Sequence, residues 1–389
     1  MDFKIPVEEL EELVYYCSRC GFCGSVCPTL LEMDREESFG ARGRLLLLRG
    51  LLKGDIKPTQ EVVRRIYSCT TCRACYVKCP AGVETDRIIE AARCEFYRLG
   101  LAPEEAKHLS EGVMKYGNPF SLPSEERTAW AKEFIEELPE RADVLYYVGC
   151  TTAYVTPHMG EATVSILKAA GVEFTILKDE VCCGFAQNAI GDVDGAKEVM
   201  KKNAEMFARS GAKLVITSCP GCYKSFAKLY PEMGIKLPVK VMHISQYLDM
   251  LIREGKLKLG RVNLRVTYHD PCDLGRRMDV YDAPRNVIRA IPGVELVEME
   301  RSGPNARCCG AGGAVRLYMP GLTTSIAATR IAKDAIPTGA KTLVTSCPTC
   351  LKTLKDGVDI AEIMHGIEPI EVLSLEELVL KALKEAGSA

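Results

Sequence analysis

Two sets of five cysteines carry the most distinctive chemistry in the chain. In the first, Cys150 precedes the adjacent pair Cys182-Cys183, and Cys219-Pro220-Gly221-Cys222 follows. In the second, Cys272 precedes Cys308-Cys309, and Cys347-Pro348-Thr349-Cys350 follows. The intervening gaps are 31 and 35 residues in the first set and 35 and 37 in the second. Thiols on consecutive residues do not readily clamp one tetrahedral ion together with a distant CxxC, whereas five converging thiolates suit a multi-iron cluster. The expected chemistry is iron and sulfur, not zinc.

Eight further cysteines form two runs of spacing C-x2-C-x2-C-x3-C-P: Cys17, Cys20, Cys23, Cys27 and Pro28, then Cys69, Cys72, Cys75, Cys79 and Pro80. In such runs three closely spaced thiolates wrap three irons of a cubane, and the fourth cysteine reaches across to the other cluster. One [4Fe–4S] cluster is therefore expected on Cys17, Cys20, Cys23 and Cys79, and a second on Cys69, Cys72, Cys75 and Cys27. A pair of zinc knobs is the weaker alternative, because zinc sites rarely use so compact a triple. Cys94 has no partner at ligand spacing and reads as a small hydrophobe on a helix.

Cys219-Pro220-Gly221-Cys222 alone could be a redox dithiol, since a CxxC at a helix N-terminus has a lowered thiol pKa. A dithiol needs neither the CC pair nor the leading cysteine. Gly310-Ala311-Gly312-Gly313 lacks the G-x-G-x-x-G spacing of a dinucleotide loop, and small residues there would let backbone approach a cluster and donate N–H bonds to its sulfurs.

The elements that must hold these cysteines follow from periodicity. Residues 6–16 predict a helix with Pro6 in its first turn, acidic residues toward its start, and Leu10, Leu13, Val14 and Cys17 on one face. The leucine-rich stretch between the two runs and residues 86–99 also read as helix. From 102 to 140 the composition turns polar and proline-rich, which predicts a domain junction. Strands at 143–148, 174–177 and 213–217 alternate with helices at 157–170 and 192–209. Strands at 262–268, 294–299 and 341–345, with a helix at 322–333, repeat the order. The endings 241–248 and 370–378 align as a short strand and a helix opened by Ser245 or Ser374. The reading is α/β: a helical N-terminal ferredoxin-like domain (1–101), a linker (102–142), and two homologous lobes (143–257 and 258–389), each with a small parallel sheet. Ligands at strand C-terminal ends are expected, where open α/β sheets place their sites.

At 389 residues and 47% hydrophobic content the chain can fill more than one core. A net charge of −2 offers no basic field for nucleic acid or an anionic membrane. No secretory signal or twin-arginine leader opens the sequence, so the mature chain is expected to begin near Met1. The apolar run at 45–52 is interrupted by Arg49 and Gly50 and falls far short of the roughly 20 residues of a membrane span. Nineteen cysteines without an export signal point to ligands rather than disulfides. The cytoplasm is the default location, with docking on the inner membrane face as its variant.

The duplicated CCG module behind a twin-cubane domain resembles the D-type iron–sulfur protein of heterodisulfide reductase, and also the iron–sulfur subunits of glycolate oxidase and anaerobic glycerol-3-phosphate dehydrogenase. The resemblance covers roughly residues 14–380. It implies two noncubane [4Fe–4S] clusters that are the catalytic centres, one on Cys150, Cys182, Cys183, Cys219 and Cys222 and the other on Cys272, Cys308, Cys309, Cys347 and Cys350. It also implies reductive cleavage of a small-molecule disulfide, the heterodisulfide of coenzymes M and B or an analogue, with electrons arriving through the cubanes. Relatives among hydroxyacid oxidases often lack part of one set, so two complete sets favour the disulfide-cleaving type. For an anionic substrate Lys224, Arg276, Arg277, Arg307 and Arg316 are candidate clamps, and His269 a candidate proton donor. A membrane cytochrome b is the implied redox partner. The rival reading is an electron-transfer subunit serving an FAD-linked 2-hydroxyacid or glycerol-3-phosphate dehydrogenase and passing electrons to quinone, with a flavoprotein partner. A scaffold role in a larger flavin-based complex is the third.

Overall fold

A computed structural model describes residues 3–5 and 8–387; Pro6 lies outside the described residues. Two four-stranded sheets, every neighbouring pair parallel, form the two lobes. The first contains β1 (Val144–Tyr146), β2 (Phe174–Thr175), β3 (Leu214–Thr217) and β4 (Lys240–His243), in the order β2-β1-β3-β4. The second contains β5 (Leu264–His269), β6 (Val294–Leu296), β7 (Thr342–Thr345) and β8 (Glu371–Ser374), in the order β6-β5-β7-β8. The central strands are continuous apolar runs because both faces are covered: Leu145, Tyr146, Val215, Ile216, Leu343 and Val344 are all fully buried.

The lobes pack reciprocally. The helix Pro157–Ala169, which follows β1, lies against Leu375–Glu385, the last helix of the second lobe; Asp282–Ala290, which follows β5, lies against Ile244–Arg253, the last helix of the first. One core runs through the junction, with Ile166, Leu167, Leu248, Leu251, Val287, Ile288, Leu378 and Val379 all buried in it. Each fully buried aliphatic side chain contributes about 1.5–3 kcal/mol by leaving water.

The closing helices match, but with a shift from the sequence alignment. Register pairs His243 with Thr217 and Ser374 with Thr345, so these two residues are equivalent. Both are N-caps within capping boxes, completed by Gln246 and Glu377. The imidazole of His243, its pKa lowered to about 3 by burial, accepts from the Ser245 amide, a role Ser374 fills with its hydroxyl. Matching Ser245 to Ser374 displaces the alignment by two residues, because a capping histidine carries no obvious sequence mark.

The N-terminal region is helical, with Glu8–Tyr16, Ala41–Leu52, Gln60–Tyr67 and Thr85–Arg98 around a core that includes Val14, Leu45, Leu48, Ile66, Ile88 and Phe96. The polar segment after it is ordered: Glu104–Tyr116 is a helix whose Ala106, Leu109 and Val113 join that same core, and Trp130 packs on Gly160 of the first lobe. Cys94 sits on Thr85–Arg98 with its thiol donated to the Glu90 carbonyl at 3.2 Å. No helix among the described residues is long and apolar enough to cross a membrane.

Candidate metal centres

The two ferredoxin-type runs wrap alike. Arg19 and Gly21 in the first and Thr71 and Arg73 in the second, at equivalent positions, have φ of 59°, 88°, 46° and 64°. Left-handed residues at this spacing turn backbone N–H groups inward, the geometry of an anion-binding nest. Arg73, a costly residue for that conformation, is held by Glu84 at 2.7 Å and Asp86 at 3.4 Å. Cys17, Cys20, Cys23, Cys75 and Cys79 line one small cavity, and Cys27, Cys69, Cys72 and Cys75 line another, so Cys75 borders both. Cys20 is exposed, whereas Cys27 and Cys72 are buried.

In each lobe the five cysteines come from the carboxyl ends of three strands. Cys150 and Cys219 follow β1 and β3, Cys272 and Cys347 follow β5 and β7, and the CC pairs follow β2 and β6. The crevice between the first and third strands, where strand order reverses, is where doubly wound sheets bind ligands. Cys219 and Cys347 are helix N-caps, and the Cys347 sulfur accepts from the Cys350 amide at 3.4 Å.

The thiols touch in the same sequence in both lobes: Cys150 to Cys182, Cys183, Cys222 and Cys219, and Cys272 to Cys308, Cys309, Cys350 and Cys347. Cys309 and Cys350 sulfurs are 3.3 Å apart. Hydrogen bonds from Cys182 and Cys222 lower the Cys183 thiol to about 6, and those from Cys308 and Cys350 hold Cys309 well below the usual thiol range. The amide of Gly310, at φ +97°, donates to the Cys308 sulfur at 3.3 Å. Five converging thiols with an inward amide exceed what one tetrahedral ion uses and fit a polynuclear cluster.

Between the lobes lies a cavity of about 390 Å³ lined by nine of these ten cysteines, all but Cys308. Leu109, Phe185 and Leu317 give it apolar walls, and Arg316 and Asp273 are its charged residues.

The other basic candidates are engaged elsewhere. Arg277 pairs with Asp86 at 3.1 Å, Glu90 at 2.9 Å and Asp273 at 3.4 Å; Lys224 reaches Asp273 at 3.4 Å. Arg307 pairs with Asp334 at 2.8 Å, and Arg276 donates to the Cys72 carbonyl at 2.6 Å. These charges join segments of the protein, and only Arg316 of the five lines the cavity. His269 is 1% exposed and outside the cavity lining. Burial lowers its pKa, and its ring hydrogen-bonds the Cys309 sulfur, so it sits as a neutral neighbour of a thiol rather than where a leaving group could reach it. One of its ring nitrogens and the sulfurs of Cys309 and Cys350 lie within 4.8 Å of one another.

Three residues near the sites carry no motif. Arg127, from the polar segment and 3% exposed, donates to the Cys150 sulfur at 3.3 Å, to the Gly117 carbonyl at 2.8 Å and to Glu180 at 2.8 Å. Glu180 in turn accepts from the Val148 and Gly149 amides at 2.8 and 2.9 Å, fixing the turn that presents Cys150. Arg93, with no exposure, donates to the carbonyls of Tyr67, Cys69, Ala189 and Gly313 and so ties the ferredoxin-type region to both lobes. The only signal for Glu180 is an acid two residues before a CC pair.

Residues 144–227 and 266–355 match the cysteine-rich domain family, and residues 13–83 the 4Fe-4S dicluster domain family. The D-type subunit of the dihydromethanophenazine:CoB–CoM heterodisulfide reductase of Methanosarcina acetivorans is 35% identical over 94% of this chain and 94% of its own length. That of Methanosarcina barkeri is 36% identical over 94% of this chain and 93% of its own. The EtfAB:quinone oxidoreductase of Syntrophomonas wolfei is 33% identical over 95% of this chain and 58% of its own length. With its CCG lobes and dicluster domain, this chain is an iron–sulfur oxidoreductase component that belongs to the family of D-type heterodisulfide reductase subunits.

Proposed function

We propose that the chain reductively cleaves a disulfide in the cavity between its lobes, RSSR′ + 2e⁻ + 2H⁺ giving RSH + R′SH. The substrate is the heterodisulfide of coenzymes M and B or an analogous anionic disulfide. The observation that carries this reading is the single cavity faced by cysteines of both lobes.

In this reading Cys17, Cys20, Cys23 and Cys79, and Cys69, Cys72, Cys75 and Cys27, hold two cubane clusters. The sets ending in Cys222 and Cys350 hold two noncubane clusters. The clusters, when bound, supply single electrons and iron sites for the two sulfurs of the substrate. The chain's own part is to fix the geometry. Gly310 and Cys350 amides donate to sulfurs, Leu109, Phe185 and Leu317 exclude water, and Arg316 offers the cavity its cation. The domain boundaries that go with this division are 1–101, 102–142, 143–257 and 258–389. The redox partner is a membrane cytochrome b or an FAD flavoprotein.

The similarity to a quinone oxidoreductase favours a second reading, electron transfer from a flavoprotein dehydrogenase toward quinone. Anaerobic iron and sulfide analysis with electron paramagnetic resonance separates the two. About sixteen irons per chain, as four four-iron clusters require, and a new signal when a thiol such as coenzyme M is added under oxidising conditions, support disulfide cleavage. About eight irons and no response to thiol would leave only the ferredoxin-type region as a carrier and sink the catalytic reading.

A further inference from the structure

Arg276 lies where the ferredoxin-type region meets the second lobe. Its Nε donates to the Cys72 carbonyl at 2.6 Å, and one terminal nitrogen donates to the carbonyls of Pro304 and Ala306 at 3.2 and 2.7 Å. The other terminal nitrogen is buried and has no hydrogen-bond partner. Among the described residues no carboxylate pairs with it, whereas Arg277, Arg307 and Arg316 each have one. The charges that face it are the sulfurs of Cys72, Cys272 and Cys308. Cys72 belongs to the ferredoxin-type region and the other two to the second lobe, and Cys72 and Cys308 are buried in one cluster against which Cys272 packs.

Arg276 is half-buried, and a guanidinium with one buried donor unused and no carboxylate partner is favoured where negative charge sits beside it. Two thiolate sets supply that charge. Adding an electron on either side makes the region more negative, and a nearby cation in a low-dielectric setting offsets it. Net charge and hydrogen bonds to sulfur are among the levers that set iron–sulfur potentials.

We infer that Arg276 is a positioning residue for electron transfer between the ferredoxin-type region and the second lobe, raising together the reduction potentials of the two centres on either side of it. This rests on the cluster assignment proposed above. One electron leaves the centre held by Cys69, Cys72, Cys75 and Cys27 and arrives at the centre held by Cys272, Cys308, Cys309, Cys347 and Cys350. The cation faces both, so it lifts donor and acceptor alike and keeps the step between them shallow. None of Cys17, Cys20, Cys23 and Cys79 takes part in the hydrogen bonds that hold Arg276.

The test is a redox titration followed by electron paramagnetic resonance on the full chain, isolated anaerobically with its clusters. In Arg276→Gln the iron content stays at the wild-type value and both flanking centres become harder to reduce. Their reduced-to-oxidised ratio at a fixed potential falls at least tenfold, equivalent to about 59 mV for a one-electron couple. The Cys17, Cys20, Cys23 and Cys79 centre does not move, and Arg276→Lys, which keeps the charge, stays within about threefold of wild type. Arg276→Gln with full iron and unmoved potentials would overturn the inference, as would Arg276→Lys shifting as far as Arg276→Gln. If Arg276→Gln loses iron, Tyr281→Glu decides. Tyr281 is half-buried within the field of Arg276, and a carboxylate there neutralises the guanidinium in place. The same fall in both potentials is expected, and no fall overturns the proposal. Wild-type protein with only about eight irons would instead defeat the cluster assignment, before any variant is made.

Discussion

Cys72 and Cys308 pack together across the boundary between the ferredoxin-type region and the second lobe, with Ala74 buried beside them. Cys308 is also the one cysteine of the two five-membered sets that does not line the central cavity. Under the proposed cluster assignment, redox contact with the N-terminal region would be made by the second lobe, behind the cavity. Cys72→Ser should cost about four irons and leave the second lobe without its neighbour. The expected outcome is chemical reduction of the exposed Cys20 side without reduction of the lobe centres, followed by paramagnetic resonance during a stepwise titration.

Gly312 and Gly313 make the N-terminal region and the second lobe meet backbone to backbone. A Cβ on Gly313, at φ +58°, would stand 2.5 Å from the Cys69 carbonyl, and one on Gly312 would stand 2.4 Å from that of Thr70. Gly313→Ala should destabilise the protein by about 1–3 kcal/mol through forced separation of these segments, read as a lower urea midpoint.

Arg93 donates from the same junction to carbonyls of the N-terminal region and both lobes. Arg93→Met leaves those acceptors buried and unpaired. A loss of about 3 kcal/mol or more is expected, with the unfolding transition splitting as the regions uncouple. Calorimetry would show one transition in wild type and two in the variant.

Burial pushes the Glu376 carboxyl up to about 8, against an ordinary value of 4.5. The folded state thus binds this proton more tightly than the unfolded chain. Its stabilising effect is complete below pH 4.5 and is lost as pH rises through about 8. Glu376 faces Ser218 and Tyr146 of the other lobe, so the loss falls on the lobe junction. Glu376→Gln should flatten the fall of Tm between pH 5 and 9, by an amount on the order of 3–5 kcal/mol at the alkaline end. Parallel Tm profiles for the two proteins would contradict it.

Arg316 is the cavity's cation, shared with Asp356 at 2.5 Å. Arg316→Gln should raise KM for an anionic disulfide about tenfold, equivalent to about 1.4 kcal/mol, and leave an uncharged disulfide unaffected. Steady-state assays with the two substrates check this.

Much of this architecture is legible in the sequence because it rests on local pattern. Continuous apolar strands such as 213–217, followed at once by Ser218-Cys219, state both a parallel sheet and the place of a ligand. The spacing of Cys17 to Cys27 and of Cys69 to Cys79 states two interleaved runs, and the fold gathers their eight cysteines around two small cavities that share Cys75. What escapes is long-range pairing between residues whose own neighbourhoods are unremarkable. Arg127 meets Cys150 from a segment whose polarity reads as linker, yet its helix Glu104–Tyr116 is packed into the N-terminal core. Arg276 and Arg277 read as substrate clamps because they follow a ligand loop, and instead they reach the carbonyls of Cys72 and Thr71. His269 reads as reactive because it precedes Cys272, but the strand end that carries it is buried.

The reciprocal packing of the lobes, each lobe's first crossover helix on the other's last, is the arrangement two identical chains make about a two-fold axis. A duplicated and fused gene would leave that mark. Fusion releases the halves from the identity that symmetry imposes on a pair of separate copies. The two halves differ beside their cysteines, with Arg127 and Glu180 beside Cys150 in one, and His269 beside Cys309 and Arg276 beside Cys308 in the other. The cavity between them has unlike walls as well, with Phe185 from one lobe and Arg316 and Leu317 from the other, so under the proposed function a disulfide with two different ends would meet a different surface at each end.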